Sequence, residues 1–297
     1  MKTKSLLLAA LSFTAVTFAQ KREIRSAEKI VDDENYAEAQ TEIAAVESMM
    51  GEMDEKEKEY YYFVKGRAFL GGENNKNADE LLKAMEAFNQ VFEYNEGDKY
   101  GEEATQYKQT AMNAIISSAV DDQNAQKYAP AADKLYRLYT LTPKDTSYLY
   151  FAASNAVNGQ DYDTALDYYG QLKDLGYTGI ETKYTAKNKE SGEVESFPSK
   201  QQRDLFVKSG SHEDPKVEVT ESRAGEIAKN IALIYIQEGK NEEALEAIKD
   251  ALAANPDDDA LLRSAADVYL KMGMTDEYEA ALQKVIEKDP NNPGLYF

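Results

Sequence analysis

The sequence has one histidine, His212, set in Ser211-His212-Glu213-Asp214-Pro215 with two carboxylates beside it. A general base there needs a nucleophile within hydrogen-bond reach and a third group to orient it. The surrounding sequence offers no such arrangement and reads as a polar surface loop. Cysteine is absent, which removes thiolate nucleophiles, disulfides and thiolate metal sites. A single imidazole cannot supply the several Cys or His ligands that zinc usually takes. Asp257-Asp258-Asp259 lacks the spaced oxygens, turn glycine and closing Glu of a calcium loop. Asp258 or Asp259 instead suits the cap of a helix starting near Ala260, where a carboxylate meets the positive helix end. Gly71-Gly72 is not followed by Gly-Lys-Ser/Thr, so it reads as a helix–helix turn rather than a phosphate loop. No pair of carboxylates stands out. The expectation is a protein that is not an enzyme, with no catalytic residue, no metal and no cofactor.

The elements that carry these residues belong to a chain of 297 residues that is 42% hydrophobic, enough for a substantial core. Its formal net charge is −20. Nucleic acid and anionic lipid both demand a basic footprint, so neither is an expected partner, whereas basic partners are favoured. Residues 1–19 read as a secretory signal: Lys2 and Lys4 open it, Leu6 to Val16 is mostly apolar, and Thr17-Phe18-Ala19 offers a small cleavage site. The run is short for a membrane span; a retained anchor helix is the alternative to cleavage. No Cys follows it to accept a lipid. The expected mature chain begins near Gln20, without a membrane span.

Self-similarity dominates the rest. Gly239 to Gly273, Pro256 to Pro290, Tyr235 to Tyr269, Ala131 to Ala165 and Tyr128 to Tyr162 are each 34 residues apart. Each unit reads as two helices. Ile227, Ile231, Ile234 and Tyr235 recur at helical spacing, Gly239 breaks the run, and Ala244, Ile248 and Ala251 form a second stripe that Asn255-Pro256 stops. Small residues (Ala232, Ala244, Ala251; then Ala265, Ala266, Ala281) stand where helices must approach closely.

These residues resemble the tetratricopeptide repeat. Residues 225–258 fit through Ala232, Tyr235, Gly239, Ala244, Ala251 and Pro256, and 259–292 through Ala266, Tyr269, Gly273, Leu282 and Pro290, with Tyr278 where the family has a small residue. Residues 146–179 fit through Ala153, Tyr162, Ala165 and Tyr169. The unit ending at Pro143 fits in its second helix, at Tyr128, Ala131 and Leu135. Weaker units lie at 20–53 (Ala27, Tyr36, Ala39, Ile43) and 59–96, where Tyr62, Gly66 and Phe69 precede Ala84 and Phe88 across an insertion around Gly71–Asn74. The resemblance implies an all-α fold, an α-solenoid of helix pairs. Its organisation is a signal at 1–19, about four repeats over 20–179, an insertion at 180–224 and two clear repeats over 225–292. Residues 293–297 open a further repeat; Pro293 holds its first position, and the apolar Gly-Leu-Tyr-Phe ending is no polar cap, so a longer protein is expected.

In the insertion, Ile180, Thr182, Tyr184 and Ala186 alternate against Lys183, Thr185 and Lys187, a turn follows at Lys189–Gly192, and Glu193–Phe197 returns as the second strand of a hairpin. Ser199 with Gln202 opens a short helix through Leu205 and Phe206 that ends at Gly210, and His212–Val219 adds a further extended piece. The block is locally basic, through Lys183, Lys187, Lys189, Lys200 and Arg203. A packed wedge, disorder and a partner contact all suit a segment of this length. Similar interruptions occur in exported repeat proteins of Gram-negative bacteria, which implies a periplasmic or envelope-associated setting.

By the same resemblance, a ligand groove is lined by the second, fifth and ninth positions of each first helix: Tyr60, Phe63 and Arg67; Tyr150 and Ser154; Lys229 and Leu233; Arg263 and Asp267. The family's grip on a peptide carboxylate uses Lys, Asn and Arg, but Leu233 stands where the Asn belongs. The expected function is a noncatalytic scaffold in the cell envelope that binds a protein or peptide partner. A glycan- or small-ligand-binding protein using the groove aromatics is the alternative, and a hydrolase with its site in the insertion is a third reading.

Overall fold

The paired helices carry apolar stripes that only their neighbours can cover. The computed structural model describes residues 20–94, 99–288 and 290; the expected signal at 1–19 and the expected start of a further repeat at 293–297 lie outside these. The helices are α1 (residues 20–32), α2 (Tyr36–Val46), α3 (Glu55–Leu70), α4 (Ala78–Glu93), α5 (Gly101–Asn124), α6 (Tyr128–Leu141), α7 (Ser147–Asn158) and α8 (Tyr162–Asp174). Strands β1 (Thr182–Asn188) and β2 (Val194–Phe197) follow, then α9 (Lys200–Lys208) and β3 (His212–Val219). The chain ends with α10 (Ala224–Gln237), α11 (Asn241–Ala254), α12 (Asp259–Lys271) and α13 (Thr275–Lys288). The fold is all-α in class, helix pairs stacked as in an α-solenoid, with one three-stranded sheet of order β2-β1-β3. Two compact units divide between Asp161 and Tyr162.

In the first unit the core passes from pair to pair. Ile24, Ala27 and Val31 of α1 pack with Ala39 and Ile43 of α2, then with Phe63 and Val64 of α3 and Phe88 of α4. A second cluster joins Leu81, Leu82 and Met85 to Ala111, Ile115 and Leu138. In the first of these clusters Gly66 is required, because a Cβ would lie 2.4 Å from the buried Phe88 ring. In the second unit Ala228, Ala232, Ala244, Ile248, Leu261, Ala265 and Ala266 form the core of α10 to α13. Ala232, Ala244, Ala265 and Ala266 are buried where the periodicity places close approach, Ala251 is partly buried beside them, and Tyr278 packs half-buried against the cluster.

The turn inside the pairs is one device used repeatedly. Gly239 and Gly273 have φ of +75° and +72°, and Glu34, Gln126 and Gln160 hold the same place at +59°, +59° and +60°. At each, two backbone bonds close the first helix: Gln160 N–H reaches the Val157 carbonyl at 3.0 Å and Asp161 N–H the Ala156 carbonyl at 2.9 Å, matched by Gly239 to Ile236 and Lys240 to Tyr235. This is the paired bonding that satisfies orphan carbonyls at a helix end. A side chain in this conformation costs on the order of 1 kcal/mol. Gln160→Gly is therefore expected to stabilise by about 1 kcal/mol, read as a raised midpoint in thermal melts. The α3–α4 turn differs. Gly71 is left-handed, and Asn75 donates to the Phe69 and Leu70 carbonyls at 3.3 and 3.0 Å across the extra residues.

The sheet is tied off at its neck. Arg223 N–H bonds the Thr178 carbonyl at 2.7 Å, and Thr220 N–H the Glu181 carbonyl at 2.9 Å. The chain therefore leaves and rejoins the helical stack at one point. Gly179 fits only as glycine: φ is +65° and a Cβ would meet the Arg223 side chain at 2.6 Å. β1 pairs antiparallel with both neighbours, Tyr184 facing Phe197 and Val217. The expected alternation fails at one place. A register shift between Thr185 and Lys187 buries both Thr185 and Ala186, because a bulge turns consecutive side chains the same way. Ser199 caps α9 by accepting from Gln202 N–H. Arg203, expected on a basic surface, is buried, and donates to the Lys216 carbonyl at 2.7 Å while pairing with Asp204 at 2.6 Å.

Candidate functional site

The face expected to line a groove on α3 is covered. Glu59, itself buried, accepts from Lys99 N–H at 2.9 Å and Tyr100 N–H at 3.0 Å, the backbone donors that open α5. That bond holds Tyr100 over α3, where its ring stacks on Tyr60 at 5.4 Å and on Phe63 at 4.5 Å. Tyr60 and Phe63 are left 7% and 2% exposed, so they are packing residues rather than ligand contacts. The Tyr60 hydroxyl donates to Glu28, and burial, then that bond, pushes its pKa above the ordinary tyrosine range. Arg67 lies beside this stack, 2.7 Å from Asp32 and 3.8 Å from Glu28. Burial works against its charge, and the bond to Asp32 with the surrounding charges more than offsets it, leaving the pKa raised. On α7, Tyr150 is 4% exposed and the Ser154 hydroxyl is turned back onto the Tyr150 carbonyl at 3.0 Å. The glycan reading loses Tyr60, Phe63 and Tyr150 to helix packing, the ordinary fate of large rings at close helix contacts.

The residues expected on α10 and α12 do come together at the surface. Lys229 pairs with Asp267 across the two helices. Arg263, one turn before Asp267 on α12, is exposed and makes no ion pair among the described residues, and Leu233, one turn after Lys229, is half-buried. The result is a strip with an apolar step, one internally neutralised pair and one uncommitted guanidinium. An Arg of that kind suits carboxylate recognition through its rigid fork of donors.

His212 is not the surface-loop residue its neighbours suggest. It lies on β3 and is 4% exposed, because β3 pairs with β1 and α9 folds over that end. Nδ1 sits 2.9 Å from the Ser211 hydroxyl and Nε2 2.9 Å from a Glu195 carboxylate oxygen. The imidazole edge meets the rings of Phe197 and Phe206, at 5.2 and 5.3 Å. Bonds from His212, then Asn188, hold the Glu195 carboxyl below the ordinary range. Serine, imidazole and carboxylate are thus in contact, yet Ser211 also donates to the Phe206 carbonyl at 3.0 Å. What the trio visibly does is fasten β2, β3 and α9 together. The contact between His212 and Glu195 joins residues 17 apart on strands that both pair with β1, and has no spacing signature.

Asp258 is the α12 cap, accepting from Leu261 N–H at 2.9 Å, and Lys288 lies 2.9 Å from Asp259. The aspartate run is thereby used in capping and pairing. Among the described residues, no helix is long and apolar enough to cross a membrane.

Residues 235–296 match the tetratricopeptide repeat family profile. Over 67 residues the chain is 40% identical to the photosystem I assembly protein Ycf3 of Synechococcus sp. (strain CC9311). That stretch covers 23% of this chain and 39% of the relative, so the chain spans well under half of that protein's length. Among solved structures, MamA of AMB-1 aligns at 14% identity and a TM-score of 0.35, covering 79% of this chain and 93% of its own. PilF of Pseudomonas aeruginosa aligns at 9% and 0.33, covering 92% and 93%.

Proposed function

We propose, from the premise that this is a tetratricopeptide-repeat protein, that it is a noncatalytic scaffold binding a segment of a partner protein in the cell envelope. Repeat stacks present extended surfaces on their first helices, and the observation that carries this reading is the strip of Lys229, Leu233, Arg263 and Asp267 on α10 and α12. Arg263 supplies a charge-assisted donor for an acidic group of the partner, and Leu233 an apolar step beside it. Truncating a charged contact of this kind costs binding on the order of 2 kcal/mol, about thirtyfold.

Affinity purification from envelope extract with the whole chain, beside the variant Lys229→Glu/Arg263→Glu, tests this. A stoichiometric protein partner retained by the unaltered chain and lost by the variant is the expected result. Equal recovery by both removes the strip from the reading, and the absence of any protein partner removes the scaffold. Export rests on the lysines, apolar run and small residues of positions 1–19. N-terminal sequencing of the protein from fractionated cells is expected to begin near Gln20, and an intact Met1 in the cytoplasmic fraction would contradict it.

A further inference from the structure

We infer that the groove between α8, α10 and α11 is a second docking surface, built for a basic amphipathic helix of a partner protein. It goes beyond the α10–α12 strip. Its volume is about 510 Å³, within the range of built binding sites. Leu166, Gly170 and Lys173 of α8 form one wall, and Glu243, Glu246, Ala247 and Asp250 of α11 the other. Between them lies α10, with Ile227 and Ala228 buried and Ile231 half-buried. The helices are pinned beside the groove by Asn230, which donates to the buried Tyr169 hydroxyl at 3.0 Å.

Two independent observations say what the groove accepts. The first is Gly170. It sits in the interior of α8, where glycine is less favourable than alanine by up to about 1 kcal/mol. Its φ is not positive, and a Cβ there would meet nothing within 4 Å. No packing contact inside the protein calls for a glycine. What it leaves is room for a close approach from outside, continued across the groove by Ala247, Ala251 and Ala254. Packed helix axes lie about 8–10 Å apart depending on the side chains at the contact, and small residues allow the closer end of that range.

The second is charge. Glu243, Glu246 and Asp250 follow one another at spacings of three and four, along one face of α11. Lys173 answers Asp250 at 3.2 Å from the opposite wall, while Glu243 and Glu246 make no ion pair among the described residues. An apolar floor with one acidic rim matches a helix whose apolar residues recur at i, i+3, i+4 and i+7 and whose flank carries Lys or Arg. The chain's net charge of −20 steers such a partner toward it.

The probe is a fluorescein-labelled helical peptide of about 15 residues, with Leu and Ala on one face and Lys on both flanks, and a twin with Glu for every Lys. Anisotropy titrations use the full chain. The unaltered protein is expected to prefer the Lys peptide by about tenfold or more, less so at high salt. Gly170→Leu, which fills the groove and raises helix propensity, is expected to weaken binding by about tenfold or more. Glu243→Lys/Glu246→Lys is expected to reverse the preference toward the Glu twin. Equal binding of the two peptides, no binding by the unaltered protein, or full binding by Gly170→Leu overturns the proposal. So does peptide-free self-association in sedimentation that Gly170→Leu abolishes, since the occupant would then be a second copy. Lys229→Glu/Arg263→Glu is expected to bind the Lys peptide unchanged. If it alone loses the peptide, the groove proposal falls while the strip survives.

Discussion

Gly225→Ala is expected to destabilise the second unit by about 3 kcal/mol, the upper end of what one inserted methyl costs in a packed interface. Gly225 lies in the first turn of α10, against the start of α12. A Cβ there would sit 2.6 Å from the Ala260 carbonyl carbon and the Leu261 nitrogen, and 2.7 Å from the Ala260 oxygen. These are backbone atoms capped by Asp258, so no side chain can swing aside. The only relief is movement of one whole helix. That movement would draw Leu261, Ala265 and Ala228 apart, all buried in one cluster. In a stack stabilised by nearest-neighbour interfaces the loss is felt first by the pairs on either side. Urea titration followed by circular dichroism is expected to show an early partial transition in Gly225→Ala. Gly170→Ala supplies the opposite sign from the same chemistry. With nothing within 4 Å of its Cβ, it is expected to stabilise by about 0.5–1 kcal/mol. An unchanged midpoint in Gly225→Ala would mean that α10 and α12 do not approach through that backbone.

What the sequence disclosed and what it hid follow a physical division. Helix pairing was legible because a buried stripe must recur with the helical period, and because Ala232, Ala244 and Ala265 can only be small where two helices touch. Gly239 and Gly273 announced their turns, since glycine is the residue that takes positive φ without strain. Glu34, Gln126 and Gln160 perform the same turn and announce nothing, because their side chains carry no trace of the conformation the backbone bonds impose. On α3 the spacing that marks Tyr60 and Phe63 as groove residues says nothing of what covers them, and that is Tyr100, held from 41 positions away by Glu59. The same holds for His212, whose burial is decided by the pairing of β3 with β1 and the return of α9. Local composition reports solubility; burial is settled by partners distant in sequence.

Glu59 gives the most direct access to that distant control. Its Oε1 accepts both N–H groups that precede α5, and the carboxylate is buried. Glu59→Ala removes the acceptor and strands both donors, each worth about 1–3 kcal/mol when left without a partner in the interior. A loss of about 3 kcal/mol is expected. Glu59→Gln, which can keep an oxygen at the accepting position, is expected to lose about half as much, since only the charge-assisted part of the bonds disappears. With no Trp in the chain, tyrosine dominates emission and near-ultraviolet dichroism, and releasing Tyr100 from Tyr60 and Phe63 is read as the difference from the spectrum of the Tyr100→Phe variant. In Glu59→Ala at low temperature, where the chain still folds, the aromatic face of α3 becomes accessible, and a hydrophobic dye is expected to bind more strongly than it does to the unaltered protein. If Glu59→Ala keeps the tyrosine spectrum of the unaltered chain, Tyr100 is held by ring stacking alone. The carboxylate would then play no part in closing that face.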